Sequence, residues 1–162
     1  DNPKLNCRLK GLKKYSPKRI ILDNKLNTNI NSFIIKSANK TNTIIFYNEA
    51  KKSQILKFKK KGINLIASKI DNKGRFNIKI LLKKLYKLNC RNLLIEGGGV
   101  LTNHLLRNKI FNRFFLYESN KKLSKKSDYL DFNSLNLLKQ KYKMKINLKL
   151  NLGKNKITLY KN

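Results

Sequence analysis

Short apolar runs, each closed by polar or turn-forming residues, recur along this chain and predict β-strands. Such runs of β-branched, aromatic and leucine side chains are typical of strands that are buried in a sheet. We expect strands at Arg19–Asp23, Thr43–Tyr47, Ile63–Ala67, Asn92–Ile95 and Phe114–Tyr117.

Helical periodicity fills most of the intervals between these runs. The i, i+3, i+4, i+7 spacing of an amphipathic helix is followed by Ile78, Leu81, Leu82 and Leu85. Helices are also predicted at Ala50–Lys61, which ends at Gly62, and at Val100–Arg107. The polar stretch Asn24–Asn31 predicts a loop.

The last part of the chain predicts a β-hairpin. Lys141–Leu150 alternates polar and apolar residues, as a half-buried strand does. Lys156–Tyr160 can pair with it through the turn Gly153–Asn155. Because strand and helix alternate before this hairpin, the pattern predicts an α/β fold whose sheet is parallel for most of its strands and has an antiparallel edge.

Length and composition predict one domain that has a substantial core. The chain has 162 residues, of which 40% are hydrophobic. No apolar run approaches the ~20 residues that a membrane-spanning helix needs, and the polar start is unlike a secretory signal. Cys7 and Cys90 form no C-x-x-C pair, so we expect neither a zinc site nor a disulfide. Isolated thiols suit the cytoplasm.

A net charge of +31 raises the question of a nucleic-acid partner. The 39 basic residues are spread evenly, with 12, 13 and 14 in successive thirds, and only six are arginine. Base readout and bidentate phosphate contacts favour arginine, and the abundant Asn and Ile are typical of coding drift in an AT-rich genome. We therefore favour a solvated basic surface, which would still attract anionic ligands.

The segment Leu93–Leu101 carries the clearest chemical signal. A predicted strand ends in Glu96 and three glycines, and a predicted helix follows at once. Main-chain N–H groups at a helix N-terminus bind anions, and glycines let a diphosphate approach the backbone. On this segment alone a cofactor loop and a plain connecting turn remain open, since the G-x-G-x-x-G spacing is absent. Glu96 could accept hydrogen bonds from a ligand or pair with a lysine.

Two earlier segments, Asp1–Arg8 and Ser16–Asn24, add to this signal. The planar guanidinium of Arg8 suits a phosphate monoester. The ordered motifs D-N-P-x-L-x-x-R, P-x-R-I-I-L-D and L-L-I-E-G-G-G-x-L extend the match from Asp1 to about Tyr117. Together they resemble the reductase domain of the bacterial bifunctional riboflavin-biosynthesis deaminase/reductase.

The resemblance implies a dihydrofolate-reductase-like α/β fold, with a mixed, mostly parallel sheet flanked by helices and a C-terminal antiparallel β-hairpin. It implies that NADPH reduces 5-amino-6-(5-phosphoribosylamino)uracil to the ribitylamino compound, with hydride passing to the sugar C1′. The cofactor brings the hydride chemistry, while the protein orients the reactants and excludes water. The family is often homodimeric.

Residue roles follow from the resemblance, motif by motif. The implied substrate-binding residues are Leu5, Arg8 and Glu96, with Arg8 as the phosphate ligand. The implied cofactor-binding residues are Asp1, Asn24, Gly98, Gly99, Val100, Leu101, Thr102, Asn103 and His104. We assign no catalytic acid or base, and no metal ligand.

The resemblance also implies that residues 1–162 are one reductase domain that lacks its N-terminal part. The family's domain begins well before Asp1, and a zinc deaminase domain precedes it. Two departures from the family are Asn112–Arg113, where an acidic residue is common, and Lys121–Lys126, where a glycine-containing turn is expected.

Two other functions stay open as alternatives. A basic nucleic-acid-binding module is suggested by the charge and by seven Tyr and eight Phe residues that could stack on bases. The closer alternative is another reductase of the same fold, which acts on folate or a related pyrimidine. Arg8 argues against it because a guanidinium favours a phosphorylated substrate.

Overall fold

The chain forms two compact units, Asp1–Asn92 and Leu93–Asn162. The structure is a computed structural model that describes residues 2–120, 135–142, 145–148 and 155–162. Asp1, the stretch Lys121–Lys126 and two residues of the predicted hairpin turn, Gly153 and Lys154, lie outside the described residues. That residues 1–162 act as one reductase domain stays a prediction.

A three-stranded parallel sheet organises the first unit. Its strands are β1 (Arg19–Leu22), β2 (Thr43–Tyr47) and β3 (Asn64–Ala67), in the order β1-β2-β3. Ile45 of the middle strand pairs with Ile21 on one side and with Leu65 on the other. β2 is buried along most of its length, as expected of a parallel strand that is covered on both faces.

Three α-helices accompany this sheet in the described residues of the first unit. They are α1 (Phe33–Lys36), α2 (Lys52–Lys60) and α3 (Ile78–Lys87), and a 3₁₀ turn covers Lys13–Tyr15. α3 buries Ile78, Leu81 and Leu85, so the predicted apolar stripe faces the core. α2 ends shortly before Gly62, whose φ of +73° is the left-handed conformation that glycine adopts without strain.

The core of the first unit joins the sheet to α1 and α2. Its buried members are Leu26, Ile34, Ile35, Ile45, Phe58 and Ile63. Gln54 of α2 adds a polar link, because its side-chain amide donates to the carbonyl of Leu26 at 2.5 Å. The loop between β1 and α1 is therefore held down by both apolar and polar contacts.

Arg19 is a buried cation at the amino end of β1. Its guanidinium donates to four acceptors at 2.7 to 3.1 Å, namely the hydroxyl and carbonyl of Ser37, Oδ1 of Asn42 and the hydroxyl of Thr43. Burial lowers the pKa of Arg19. The four acceptors replace the water that the guanidinium loses, which makes its burial tolerable.

The second unit combines an antiparallel sheet with two described helices. Its elements are α4 (Gly99–Arg107), β4 (Arg113–Glu118), α5 (Leu135–Lys141), β5 (Lys145–Leu148) and β6 (Lys156–Lys161). The strand order is β4-β6-β5, and both pairings are antiparallel. Leu106, Leu138, Tyr142 and Tyr160 form a buried cluster. The hydroxyl of Tyr142 donates to the carbonyl of Leu106 at 2.7 Å.

Most of the predicted elements are confirmed. Strands occur at four of the five predicted apolar runs, and the three predicted helices are α2, α3 and α4. The closing hairpin is present, with Ile146 of β5 opposite Leu159 of β6. The pairing of β4 with β6 was not predicted, nor was the separation of the strands into two sheets.

The strand predicted at Asn92–Ile95 is wrong for this structure. None of the described strands pairs with these residues. Leu93, Leu94 and Ile95 are 36%, 83% and 44% exposed. An apolar run becomes a strand only where a neighbouring strand takes up its main-chain hydrogen bonds, and no described strand does so here.

The strand predicted at Lys141–Leu150 begins too early. Lys141 is the last residue of α5, and the N–H of Tyr142 donates to the carbonyl of Leu138 at 3.2 Å. Leu138 and Tyr142, four residues apart, are both buried on one side of the helix. This helical spacing prevails over the alternation, and the strand starts only at Lys145.

Candidate functional site

The triglycine corner, residues 97–99, leads directly into α4. Gly98 is the N-cap with φ −65° and ψ 174°, and no side chain caps the helix. A Cβ at Gly97 would lie 2.8 Å from Cδ2 of Leu101, whereas a Cβ at Gly98 or Gly99 would meet nothing within 4 Å. A side chain at Gly97 would thus force the Leu101 side chain to shift, while the Cβ positions of Gly98 and Gly99 are open.

The first turn of α4 contains main-chain N–H donors that have no partner within the helix. Its first intrahelical bond runs from the N–H of Thr102 to the carbonyl of Gly98 at 3.1 Å. The preceding N–H groups have no place in the helical ladder. No acidic residue lies in the first turn to compete for them. Unpaired N–H groups, the positive end of the helix dipole and the absence of side chains together suit an anion.

The remaining predicted cofactor residues follow on the same helix. Val100 is 74% exposed, and Leu101, Thr102, Asn103 and His104 are half-buried. The hydroxyl of Thr102 donates to the carbonyl of Gly97. Oδ1 of Asn103 is buried and has no hydrogen-bond partner. The imidazole of His104 makes no hydrogen bond to the described residues. Nothing in this geometry gives it an acid/base role.

Glu96 is exposed just before the triglycine corner. In the part of the chain that the structure describes, Arg75–Asp71 is the salt bridge that forms, and Glu96 takes part in none. Within those residues, therefore, no lysine forms an ion pair with the Glu96 carboxylate. Its carboxylate is available to accept hydrogen bonds from a polar ligand.

The segment before the 3₁₀ turn contains Leu5 and Arg8. Leu5 packs against the core of the first unit, yet its φ is +44°, a left-handed value that is uncommon for a side chain of this kind. The N–H of Cys7 donates to Oγ of Ser16 at 3.2 Å and so anchors the segment. The guanidinium of Arg8 is available to an anion because it is exposed and forms no ion pair with the described residues.

Asn24 lies at the carboxyl edge of the parallel sheet, where the loops after β1, β2 and β3 meet. Its carbonyl accepts the N–H groups of Asn48 and Glu49, at 2.9 and 3.2 Å, from the loop after β2. Its Nδ2 makes a long hydrogen bond of 3.5 Å to the carbonyl of Gly74, beyond β3. Its Oδ1 is buried without a partner. Open α/β sheets bind ligands at this edge.

The loop that meets Asn24 was missed by sequence reasoning. This Asp71 loop, residues 70–76, is closed by a bridge between Ile70 and Phe76. The carboxylate of Asp71 accepts the N–H groups of Lys73 and Arg75, both at 2.9 Å, and pairs with the guanidinium of Arg75. Chiefly because of the main-chain bond from Arg75, the pKa of Asp71 is lowered. The turn residues in D-N-K-G were the available signal.

The predicted site residues divide between the two units. Leu5, Arg8 and Asn24 belong to the first unit, and Glu96 and Gly98–His104 to the second. Asp1 lies outside the described residues. In the structure, Gly98–His104 form the N-cap and the first turns of α4. A cleft shared by Arg8 and the triglycine corner stays a prediction.

The described residues contain neither a metal-binding cluster nor a membrane-spanning helix. No group of three or more His, Cys, Asp or Glu side chains that could hold a metal ion occurs in the described ranges. Of the helices described, none is both long and apolar enough to cross a membrane. The absence of a bound metal, like the cytoplasmic location, stays a prediction.

The fold and the glycine corner define the class: an α/β fold in which a helix without a side-chain cap starts after an apolar segment. The family model of the RibD C-terminal domain matches residues 1–123. The chain therefore belongs to the RibD C-terminal domain family.

Curated relatives carry the same family name. The chain is 32% identical over 117 residues to the riboflavin biosynthesis protein RibD of Actinobacillus pleuropneumoniae, and 30% identical over 117 residues to that of Aquifex aeolicus. Each match covers 72% of this chain, but only 30% and 31% of the respective relative. The chain thus spans less than a third of the length of these proteins.

Solved structures confirm the α/β fold class. Form 2 of Acinetobacter baumannii RibD matches 99% of this chain and 43% of its own chain, with a TM-score of 0.69 at 18% identity. A pyrimidine reductase-like protein from Corynebacterium diphtheriae matches 90% of this chain and 61% of its own, with a TM-score of 0.62 at 16% identity. At these identities the likeness concerns the fold.

Proposed function

We propose that this chain is the NADPH-dependent reductase that converts 5-amino-6-(5-phosphoribosylamino)uracil into 5-amino-6-(5-phosphoribitylamino)uracil in riboflavin biosynthesis. Membership of the RibD C-terminal domain family supports the pathway and the reaction class. The observation that carries the cofactor assignment is the triglycine corner, where α4 starts without a capping side chain and a Cβ at Gly98 or Gly99 would meet nothing within 4 Å.

The residues at this corner suit a dinucleotide in three ways. The free N–H groups of the first turn can donate to the diphosphate, and the helix dipole favours its negative charge. Gly98 and Gly99 place no side chain between the backbone and the ligand. Thr102 and Asn103, the next implied cofactor residues, follow within one turn of the helix. NADPH, when bound, would supply the hydride.

The substrate side of the proposal rests on three residues. The exposed guanidinium of Arg8, free of ion pairs with the described residues, suits the phosphate of the ribose. The carboxylate of Glu96 can accept hydrogen bonds from amino groups of the pyrimidine. Leu5 packs against the core of the first unit and so anchors the backbone three residues before Arg8. These contacts would orient C1′ for hydride transfer.

Replacement of Gly98 tests the cofactor assignment. In the full-length protein, Gly98→Asp should lower NADPH affinity by about a hundredfold or more, because a carboxylate would lie against the diphosphate. Gly98→Ala is the matched control and should stay within about tenfold of wild type, since a methyl adds no charge. Both variants should fold, because a Cβ at this position meets nothing within 4 Å.

Calorimetric titration with NADPH measures both affinities. Equal binding by wild type and Gly98→Asp would show that the corner is only a connecting turn. Absence of NADPH binding by the wild-type protein would exclude the reductase function itself.

Substrate choice separates this function from the closest alternative. A reductase of the same fold that acts on folate or on an unphosphorylated pyrimidine should not need Arg8. We expect Arg8→Gln to raise KM for the phosphorylated pyrimidine by about tenfold to a hundredfold, as the loss of a charge-assisted pair does. Comparable turnover of the dephosphorylated compound by wild type would favour the alternative.

A further inference from the structure

The antiparallel sheet of the second unit presents aromatic side chains on the face opposite its core. Phe114 and Leu116 of β4 pack against the buried cluster of that unit. Because side chains alternate along a strand, Arg113, Phe115 and Tyr117 lie on the other face. Phe115 is 42% exposed and Tyr117 is 70% exposed. We call these three residues of β4 the aromatic strip: a cation and two exposed rings at alternate positions.

A second cation stands beside the strip on the neighbouring strand. Lys161 of β6 is the register partner of Arg113, so the two form a cation pair on the same face. Both are exposed, and neither forms an ion pair with the described residues. Glu118 is the acidic residue of β4, β5 and β6, and by alternation it belongs to the opposite face. Like charges directly opposite each other destabilise a sheet, so a bound anion would relieve the repulsion here.

The rings of the strip are free, which distinguishes them from another exposed aromatic residue of the chain. Phe115 and Tyr117 make neither an aromatic nor a cation–π contact with the described residues. Tyr86 of α3 is also exposed, at 61%, but the guanidinium of Arg91 already lies over its ring, 3.7 Å from the centroid. Exposed lysines are common on this chain, so the two free rings beside the cation pair are what mark this surface.

We propose that the aromatic strip and the cation pair bind single-stranded nucleic acid. Phe115 and Tyr117 stack on bases, and the cation pair contacts phosphates. Unpaired bases offer the flat faces that stack on aromatic rings, and each nucleotide brings one phosphate. The two rings are two residues apart, about 7 Å along the strand, so each can take its own base. This activity goes beyond the proposed reductase function and does not rest on it.

Charge favours this partner over a second copy of the chain. Each copy carries +31, and both cations of the pair would meet a like-charged surface in a dimer. A lipid bilayer is a poorer match, because it takes up broad apolar faces, whereas the strip places a cation in line with its rings. A single strand of nucleic acid complements both the charge and the rings.

The stacking contact is tested with a labelled oligouridylate of about twelve nucleotides, whose binding to the full-length protein is followed by fluorescence anisotropy. Tyr117→Ala should weaken binding by about tenfold, as the loss of one stacked base does, while Tyr117→Phe keeps the ring and should stay within about twofold. Tyr86→Ala is the matched control, because it removes a similarly exposed tyrosine from α3. Its affinity should equal that of wild type.

The phosphate contact is tested through the salt dependence of the same binding. In Arg113→Gln the slope of log K against log salt concentration should become shallower by about 0.7, the value for one phosphate contact to a single strand. Tyr117→Ala should leave the slope unchanged, because a tyrosine ring carries no charge. Arg107→Gln is the control, since it removes an exposed arginine at the end of α4.

A weaker complex in Tyr117→Ala and a shallower slope in Arg113→Gln, with both controls unchanged, support the proposal. No binding by wild type, unchanged binding in either variant, or equal losses in the controls overturn it. Equal affinity for a duplex, whose bases are already paired and stacked, also overturns it, because general attraction to +31 would then suffice. A wild-type dimer that Tyr117→Ala dissociates without nucleic acid, seen by sedimentation, would assign the strip to a second copy instead. NADPH binding, measured separately, is unaffected by these outcomes.

Discussion

At the scale of single residues, Arg19 shows how this chain buries a charge. The guanidinium binds Ser37, Asn42 and Thr43, and so ties the start of β1 to the end of α1 and to the start of β2. Charged donors make stronger hydrogen bonds than neutral ones, and acceptors left unpaired in the interior are costly. Arg19 therefore stabilises the first unit by a polar network.

Replacement of Arg19 should be costly for this reason. We expect Arg19→Leu to lower the free energy of unfolding by about 2 to 3 kcal/mol, because several buried acceptors lose their donor together. Arg19→Lys is the control: it keeps the charge but lacks the planar fork, and should lose less. Urea denaturation followed by circular dichroism measures both. A wild-type midpoint for Arg19→Leu would contradict the role assigned to the network.

Asp71 offers a second residue-scale prediction. Its pKa lies below the ordinary value of 3.8, mainly because the N–H and then the side chain of Arg75 donate to it. We expect Arg75→Gln to raise the pKa of Asp71 only part of the way, since the main-chain donors remain. The chemical shift of the Asp71 carboxyl carbon, followed by NMR against pH, gives both values.

The sign of the pH effect follows from that lowered pKa. The carboxylate contributes to loop stability at pH values above its unfolded-state pKa, and the contribution is lost as the pH falls through the folded-state pKa. Acid should therefore loosen the Asp71 loop in the wild-type protein. An Asp71 pKa at or above the ordinary value would contradict the hydrogen bonds described for the loop.

At the scale of elements, the strands were predictable where neighbours exist to pair with them. β1, β2 and β3 combine apolar runs with parallel partners, and the structure confirms all three. Residues 92–95 show an equally good apolar run, but no described strand pairs with them. The apolar pattern of a segment indicates its tendency to form a strand. Whether the strand forms depends on a pairing partner elsewhere in the chain, about which a local pattern contains no information.

The wrong strand prediction at α5 has a different cause, because two periodic patterns overlap there. Around Tyr142 the alternation of a strand and the four-residue spacing of a helix coincide, and only the shared burial of Leu138 and Tyr142 decides between them.

The candidate site also has a part that was predictable from the sequence and a part that was not. The triglycine corner was visible because glycines and a helix start are local features. The contact of the Asp71 loop with Asn24 joins residues 50 positions apart and was not visible.

At the scale of the whole molecule, strong charge coexists with exposed apolar surface. The chain carries +31, while Leu93, Leu94 and Ile95 are exposed in one short run. Mutual repulsion of like-charged copies opposes association through such a run. That repulsion is screened by salt, since the Debye length falls from about 30 Å at 0.01 M to about 3 Å at 1 M.

Self-association of the 162-residue chain should therefore increase with ionic strength. Leu94→Lys should reduce it, because the substitution places a charge in the middle of the apolar run. Leu56→Lys is the control, as it makes the same change at a leucine of α2 that is also exposed. Light scattering over a sodium chloride series measures the effect. Association that is insensitive to Leu94→Lys would show that another surface is responsible.

The start of α4 has a consequence for any attempt to make this protein more thermostable. Its N-cap is a glycine, its first helical residue is another, and no acidic side chain lies in its first turn. Selection on heat resistance alone would reward Ser or Asp at position 98, Ala at 99 and Glu nearby, because each favours the helix. Under the proposed function the acidic changes among these would repel the diphosphate. Thermostable clones that carry Asp or Glu at this helix start should bind NADPH poorly, so a screening programme needs a binding assay at each round.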